Sequence, residues 1–245
     1  MTPLPPHGVR RPIMTQGWHQ LGSIHWRYPA HVVQRLLPDG LEVDTFDGDA
    51  WVGLLPFQMD DIRFGPIRTG RFGTFPETNI RTYVVAPDGR RGVWFCSLDI
   101  TRLSPTLVAR VAYGLPYCWA HMTITQSGDD WRYSSRRRWP RSTAGSSSRI
   151  HLRVGPLLAE GDESELDLFL SARWALGSTL GRLTLWAEVD HQRWPLHRAQ
   201  LLEVDQTLTD AAGLPRPTGE PHVLWSPGVD VRIARPSIVA RHVQV

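Results

Sequence analysis

The sequence contains no lysine: all 27 basic residues of this 245-residue chain are arginine. That absence removes any mechanism that needs a side-chain amine, a lysine Schiff base above all. It also removes a phosphate-binding loop ending in Gly-Lys-Ser/Thr, even though Gly65, Gly70 and Gly73 alternate with Arg63, Arg68 and Arg71. Asparagine occurs once, at Asn79. Cys96 and Cys118 form neither a CxxC pair nor a disulfide framework, which points to a reducing cytoplasm. No stretch approaches the roughly 18 apolar residues of a membrane-spanning helix, so no membrane partner is expected. Arg10-Arg11 is not followed by an apolar leader core, because Gln16, His19 and Gln20 interrupt it. There is no Gly-x-Ser-x-Gly elbow, no His-Glu-x-x-His and no dinucleotide fingerprint. Neither cofactor nor metal is expected.

What is present is organised around Phe75–Val84. Side chains alternate along a strand, so Glu77, Asn79, Arg81 and Tyr83 share one face while Thr78, Ile80, Thr82 and Val84 share the other. The first face is polar enough for a site, although a half-exposed strand would read the same way.

Elsewhere the apolar periodicity is mostly that of strands. They are expected at 18–26, 41–46, 50–57, 92–99, 117–125, 131–139, 150–154, 182–190, 198–207, 222–225 and 229–233, the last two split by a Ser226-Pro227-Gly228 turn. Asp47-Gly48 reads as a hairpin turn. The string Asp44, Asp47, Asp49 lacks the spacing of a calcium loop. Residues 60–74 read as a long flexible connection bordering a polar strand, in the place of a lid. Short helices are expected after Pro29, from Ser104, from an Asp162/Glu165 capping box, and at 210–212. Residues 1–16 read as a loose arm and 17–240 as a single domain with a Ser/Gly/Arg-rich connector near 140–149. The fold class is therefore α+β, β-dominated, a barrel or two packed sheets with three or four short helices.

Several strings in order resemble the uncharacterised YqjF-like family: Asp47-Gly48-Asp49-Ala50-Trp51-Val52-Gly53, Glu77-Thr78-Asn79-Ile80-Arg81-Thr82-Tyr83-Val84, Ser97-Leu98-Asp99, Leu115-Pro116-Tyr117, His191 to His197 and Ser226 to Val231. That family is similar in turn to the acetoacetate decarboxylase-like superfamily. The resemblance implies a cone-shaped, partly closed antiparallel β-barrel around a ligand cavity. It implies that Glu77 is a cavity carboxylate and that Ala109-Arg110…Gly114-Leu115-Pro116-Tyr117 matches the segment carrying the Schiff-base lysine. Tyr117 then stands where that lysine would be, and a phenol cannot form an imine.

The candidate catalytic residues are accordingly Glu77 and Tyr117, with Asn79, Arg81, Tyr83, Arg110 and Arg173 as candidate substrate-binding residues. An arginine offers a planar pair of donors to a carboxylate, a buried Glu is pushed towards acid/base duty, and a tyrosine can donate to an enolate oxygen. The expected partner is a small organic acid or carbonyl compound. If the protein is an enzyme, lyase, hydratase or isomerase chemistry without an imine is expected. The rival reading is a non-catalytic module in which Glu77 and Arg81 form a structural ion pair and the barrel is filled. Arg173 sits on or beside the apolar stripe Leu166, Phe169, Leu170, where it needs a partner or an anion. His191 and His197 have no zinc spacing and are expected to pack. Odd spacing sends Cys118 and His121 to opposite faces of one strand. In Arg136-Arg137-Arg138 alternation turns Arg137 away from its neighbours, so there is no continuous basic face and nucleic acid is not an expected partner. The sequence sets no oligomeric state.

Overall fold

The structure is a computed structural model that describes residues 3–102 and 114–241. Its strands are β1 (Met14–Pro29), β2 (Glu42–Val43), β3 (Thr45–Phe46), β4 (Asp49–Phe64), β5 (Ile67–Arg68), β6 (Phe75–Val85), β7 (Arg91–Ile100), β8 (Tyr117–Ser127), β9 (Asp130–Trp139) and β10 (Ser147–Leu157). They continue with β11 (Ala175–Leu180), β12 (Leu183–His191), β13 (His197–Gln206), β14 (His222–Ile233) and β15 (Ser237–Arg241). The helices are short: α1 (Ala30–Gln34), α2 (Glu165–Ser171) and α3 (Leu208–Ala211). The strand-dominated α+β expectation holds. The helix expected from Ser104, and with it Arg110, lies outside the described residues.

Pairing closes the sheet on itself twice. One ring runs β7-β8-β9-β10-β13-β14-β1-β4-β6 and returns to β7. A smaller ring runs β7-β11-β12-β14-β1-β4-β6 and shares β14, β1, β4, β6 and β7 with the first. Closure leaves no open edge along the shared wall, the usual way an all-β fold avoids edge-to-edge association. The pairings are antiparallel except where β7 meets β8 and β11, both parallel. β7 belongs to both rings because β11 pairs with its Val93 and Trp94 while β8 pairs with Leu98, Asp99 and Ile100.

The shared wall explains a pattern that alternation alone misreads. A half-exposed strand would show one solvated face, yet both faces of β6 are buried. Thr78 and Ile80 turn to the larger ring, whose core packs Ile24, Trp26, Leu54, Trp131, Tyr133, Leu152 and Trp225. The Glu77 face turns to the smaller ring, filled at one end by Leu21, Leu55, Phe57, Val189 and Val231. Fully burying each such side chain contributes about 1.5–3 kcal/mol.

Four expectations need correction. Residues 14–16 belong to β1, Gln16 is buried, and the Val9 amide donates to Asp190 Oδ2 at 3.0 Å, so the loose arm is shorter than expected. The 60–74 connection is not structureless: β4 runs on to Phe64, turns back as β5, and a 3-10 turn spans Gly70–Gly73. Residues 222–233 form one strand rather than two around a turn. Pro227 has no partner in the β1 register, where His19↔Gly228 and Leu21↔Ser226 flank Gln20 at φ 54°, so the proline sits at an irregularity that needs no N–H donor. The capping box of α2 is Ser164 with Asp167, two residues beyond the expected pair. Strands β11 and β15 were not expected at all. The 140–149 connector joins β9 to β10, which pair antiparallel within one wall.

Candidate active site

The smaller ring encloses a cavity of about 410 Å³, and each of its strands contributes to the lining: Trp18 from β1, Met59 from β4, Glu77 and Asn79 from β6, Leu98 and Ile100 from β7, Ser178 from β11, Ala187 from β12 and Ile233 from β14. Tyr117, at the start of β8, joins them. The parallel register Leu98↔Tyr117 brings it to the cavity, while Glu77↔Ile100 and Asn79↔Leu98 bring β6 against the same part of β7. Two alternate residues of β6 thus carry the acid and the amide, and β8, the parallel neighbour of β7, carries the phenol. Ile62, Phe64, Thr69, Phe72 and Gly73 border the cavity as well, so the 60–74 stretch does occupy the expected lid position.

Burial governs the electrostatics. Desolvation pushes the Glu77 carboxyl up to about 8; a hydrogen bond with Asn79 opposes the shift and the charge of Asp99 adds to it. Glu77 therefore carries its proton at neutral pH. Its Oε2 and the Asn79 Oδ1 are buried without a hydrogen-bond partner among the described residues. Such orphaned groups cost free energy unless something in the cavity meets them. The Tyr117 phenol is raised well above its ordinary value, first by burial and then by the proximity of Glu77. Both groups are thus neutral donors under ordinary conditions.

The arginines do not join this group. Among the described residues that line the cavity there is no cationic side chain. Arg81, Tyr83 and Arg173 gather instead around the C-terminus of α2. Arg81 Nη2 donates to the Leu170 carbonyl at 3.2 Å, the Tyr83 hydroxyl donates to the same carbonyl at 2.8 Å, and Arg173 Nε donates to the Phe169 carbonyl at 2.7 Å. A helix end leaves its last carbonyls without intrahelical donors, and guanidinium groups are well suited to meet them. Arg173 also lies 4.2 Å from the Phe169 ring centroid and pairs with Asp44 at 2.5 Å, so its charge has a partner within the fold, although its Nη2 is buried without a hydrogen-bond partner among the described residues. Asp44, passed over as a false calcium ligand, is that partner, and it also receives Arg91. Trp18 and Leu176 border both the cavity and a separate void of only about 20 Å³ beside Arg81, Arg173 and His191. Tyr83 is fully buried, its oxygen 2.7 Å from His25 Nε2, and burial keeps His25 neutral.

Other sequence expectations find their places. No ion pair joins Glu77 to Arg81 among the described residues. Arg137 turns inward while Arg136 and Arg138 are exposed, as alternation requires. Its guanidinium meets Asp99 at 2.6 Å and Ser97 at 3.1 Å, both partners buried in the wall of the larger ring. His191 packs on Trp174 at 4.4 Å between centroids and His197 on Trp225 at 5.4 Å. Cys118 is buried and His121 exposed. Trp18, Gln16 and Ser178 reach the cavity without any sequence signal beyond strand alternation, because which ring a strand faces depends on pairings distant in the chain.

The model of the DUF2071 family, described as an uncharacterised conserved protein, matches residues 15–230. The chain belongs to this family. Among curated proteins it is 32% identical over 223 residues to the uncharacterised protein YqjF of Bacillus subtilis, covering 89% of each chain. Solved structures resemble this DUF2071 chain in fold. The enduracididine biosynthesis enzyme MppR, complexed with pyruvate, superposes with a TM-score of 0.64 at 14% identity, over 96% of this chain and 94% of that one. Acetoacetate decarboxylase from Legionella pneumophila gives 0.64 at 12% identity over 97% and 93%. An acetoacetate decarboxylase-like enzyme from Sphingomonas wittichii RW1 gives 0.61 at 15% identity over 94% of each. The acetoacetate decarboxylase-like architecture is thus common to this DUF2071 chain and enzymes of low sequence identity. No helix among the described residues is long and apolar enough to cross a membrane.

Proposed function

We propose that the chain binds a small carbonyl-bearing molecule in the smaller ring and acts on it by acid/base chemistry without an imine. The observation that carries this reading is the protonated Glu77 carboxyl, whose Oε2 has no hydrogen-bond partner among the described residues, facing a cavity of ligand size. A carboxyl that titrates near 8 holds its proton at neutral pH and can still give it up and take it back, which is what a general acid requires. In its ionised fraction Glu77 would take a proton from the carbon beside the carbonyl and in its protonated form return one there, while Tyr117 would stabilise the carbonyl oxygen that gains charge. Lyase, hydratase and isomerase reactions all pass through such a step. The likeness to MppR, whose structure holds pyruvate, supports a carbonyl ligand in this fold.

A second reading is a ligand-binding module without turnover. Its earlier form, a filled ring stapled by Glu77 and Arg81, lacks support, because the ring holds a cavity and the pair is not made. The test is ligand-observed NMR with ketones and oxo acids in D2O. Protein-dependent exchange of the protons α to the carbonyl, lost in Glu77→Gln, is expected. Binding without exchange would favour the non-catalytic module, and no binding by any carbonyl compound would refute both.

A further inference from the structure

We infer that the ligand of this cavity is neutral and predominantly apolar, a ketone or similar carbonyl compound carried on a hydrocarbon body, and not a carboxylate. This deepens the proposed function and rests on it. Three observations point the same way. The described lining is almost wholly hydrocarbon and aromatic, with Trp18, Met59, Phe95, Ile100, Leu185 and Ile233 facing one another across the space. The polar groups are few: Glu77, Asn79 and Tyr117 share the β6–β7–β8 junction, and Gln16, Thr69 and Ser178 are neutral side chains elsewhere in the lining. Of the basic side chains that the sequence offered for a carboxylate, Arg81 and Arg173 are committed to the end of α2 and to Asp44 behind Trp18 and Leu176, and Arg110 lies outside the described residues.

An anionic ligand would have to shed its water here with no described cation to replace it, which costs several kcal/mol for an unpaired carboxylate. It would also meet a second carboxyl in Glu77 and raise the cost of either charge. A carbonyl oxygen meets the opposite situation. Glu77 has a proton to donate, and the Asn79 Oδ1, without a partner among the described residues, offers an acceptor to a hydroxyl or amide N–H adjacent to that carbonyl. The volume argues for a hydrocarbon body as well. About 410 Å³ is the space of roughly fourteen waters at about 30 Å³ each, far more than a three-carbon oxo acid fills. Apolar area buried in such a cavity contributes about 25 cal/mol per Å².

The experiment compares three compounds of one carbon skeleton, hexan-2-one, 2-oxohexanoate and hexanoate, by saturation-transfer NMR and calorimetry near pH 6.5. The expected result is that the ketone binds at least tenfold more tightly than either acid. A cavity-filling change, Ala187→Phe, should weaken the ketone by at least the same factor, and Glu77→Leu should weaken it while Glu77→Gln, which keeps a donor, preserves most of the binding. Tighter binding of 2-oxohexanoate than of hexan-2-one would overturn this inference and leave the carbonyl-binding function standing. If neither carbonyl compound binds to protein whose thermal unfolding shows it folded, the inference and the proposed function fall together.

Discussion

Replacing Glu77 by glutamine should change stability in a way that depends on pH and on little else. In the unfolded chain the carboxyl titrates near 4.5; in the folded protein it is raised to about 8. Below 4.5 both states hold the proton and the ionisation costs nothing. Between 4.5 and 8 the unfolded chain releases the proton while the folded protein keeps it, so folding takes up a proton and stability falls as pH rises. The slope is about 1.36 kcal/mol per pH unit, and over 8 − 4.5 = 3.5 units it amounts to on the order of 5 kcal/mol. Above 8 the loss is complete and the curve is flat again. Glutamine has the same shape and no ionisation, so its variant escapes this slope. Other buried titrating groups, His25 and Asp99 among them, are present in both proteins and largely cancel in the difference. Urea unfolding of wild type and Glu77→Gln at unit steps from pH 5 to 9 measures that difference directly. We expect the variant to gain about 3–5 kcal/mol relative to wild type across the range. Two parallel profiles, agreeing within about 1 kcal/mol, would mean that Glu77 is ionised in the folded protein and would remove the neutral donor on which the proposed chemistry depends.

Two further substitutions probe the frame around the cavity. Arg137→Ala leaves Asp99 as an unpaired charge in the wall of the larger ring and should cost about 3–5 kcal/mol in urea unfolding, whereas the double change Arg137→Met with Asp99→Leu should recover most of it; equal losses in the single and double variants would refute the pairing. Arg173→Met breaks the contact with Asp44 and uncovers the Phe169 carbonyl, so it should lower stability by about 2–4 kcal/mol while leaving the affinity for a ketone within twofold; a tenfold loss of affinity in folded protein would return Arg173 to the ligand site.

How far the sequence could be read differs between elements for identifiable reasons. Strand existence follows from local alternation, so β6, β7, β9 and the Asp47-Gly48 turn are legible, the last because both residues adopt positive φ, 54° and 83°. Even the inward turn of Arg137 follows from the period of two. Glu77 and Tyr117 were legible through family resemblance and Asn79 through strand alternation, and the register of β6 and β8 on β7 brings them to one cavity. Arg81 shares the face of Glu77 but not its cavity, because that face runs past Trp18 from the open cavity into packed core. Nothing local in the sequence marks where a cavity ends. Arg173 illustrates the same limit: its burial was readable from the stripe of α2, but its partner Asp44 is 129 positions away. Helix stripes report that a guanidinium needs an anion; only the tertiary fold decides which one.

The missing lysine and the neutral glutamate belong to one argument. A carboxyl buried beside an ammonium is held ionised by that charge, and the pair together tolerates burial better than either alone. Put a tyrosine at the position that the decarboxylase resemblance gives to the lysine and the countercharge disappears. Desolvation then acts on Glu77 unopposed except by Asn79, and the carboxyl keeps its proton. The phenol is itself too buried to ionise beside it. A site of two opposite charges, suited to an imine and an anionic substrate, thereby becomes a site of two neutral donors in hydrocarbon walls, suited to polarising a carbonyl. Restoring an amine tests this coupling. In Tyr117→Lys, the charge of an ammonium at the cavity should lower the Glu77 carboxyl back towards the ordinary range, so the stability slope between pH 4.5 and 8 should largely vanish. A slope unchanged by the new cation would show that Glu77 owes its proton to burial alone, with no part played by what stands at position 117.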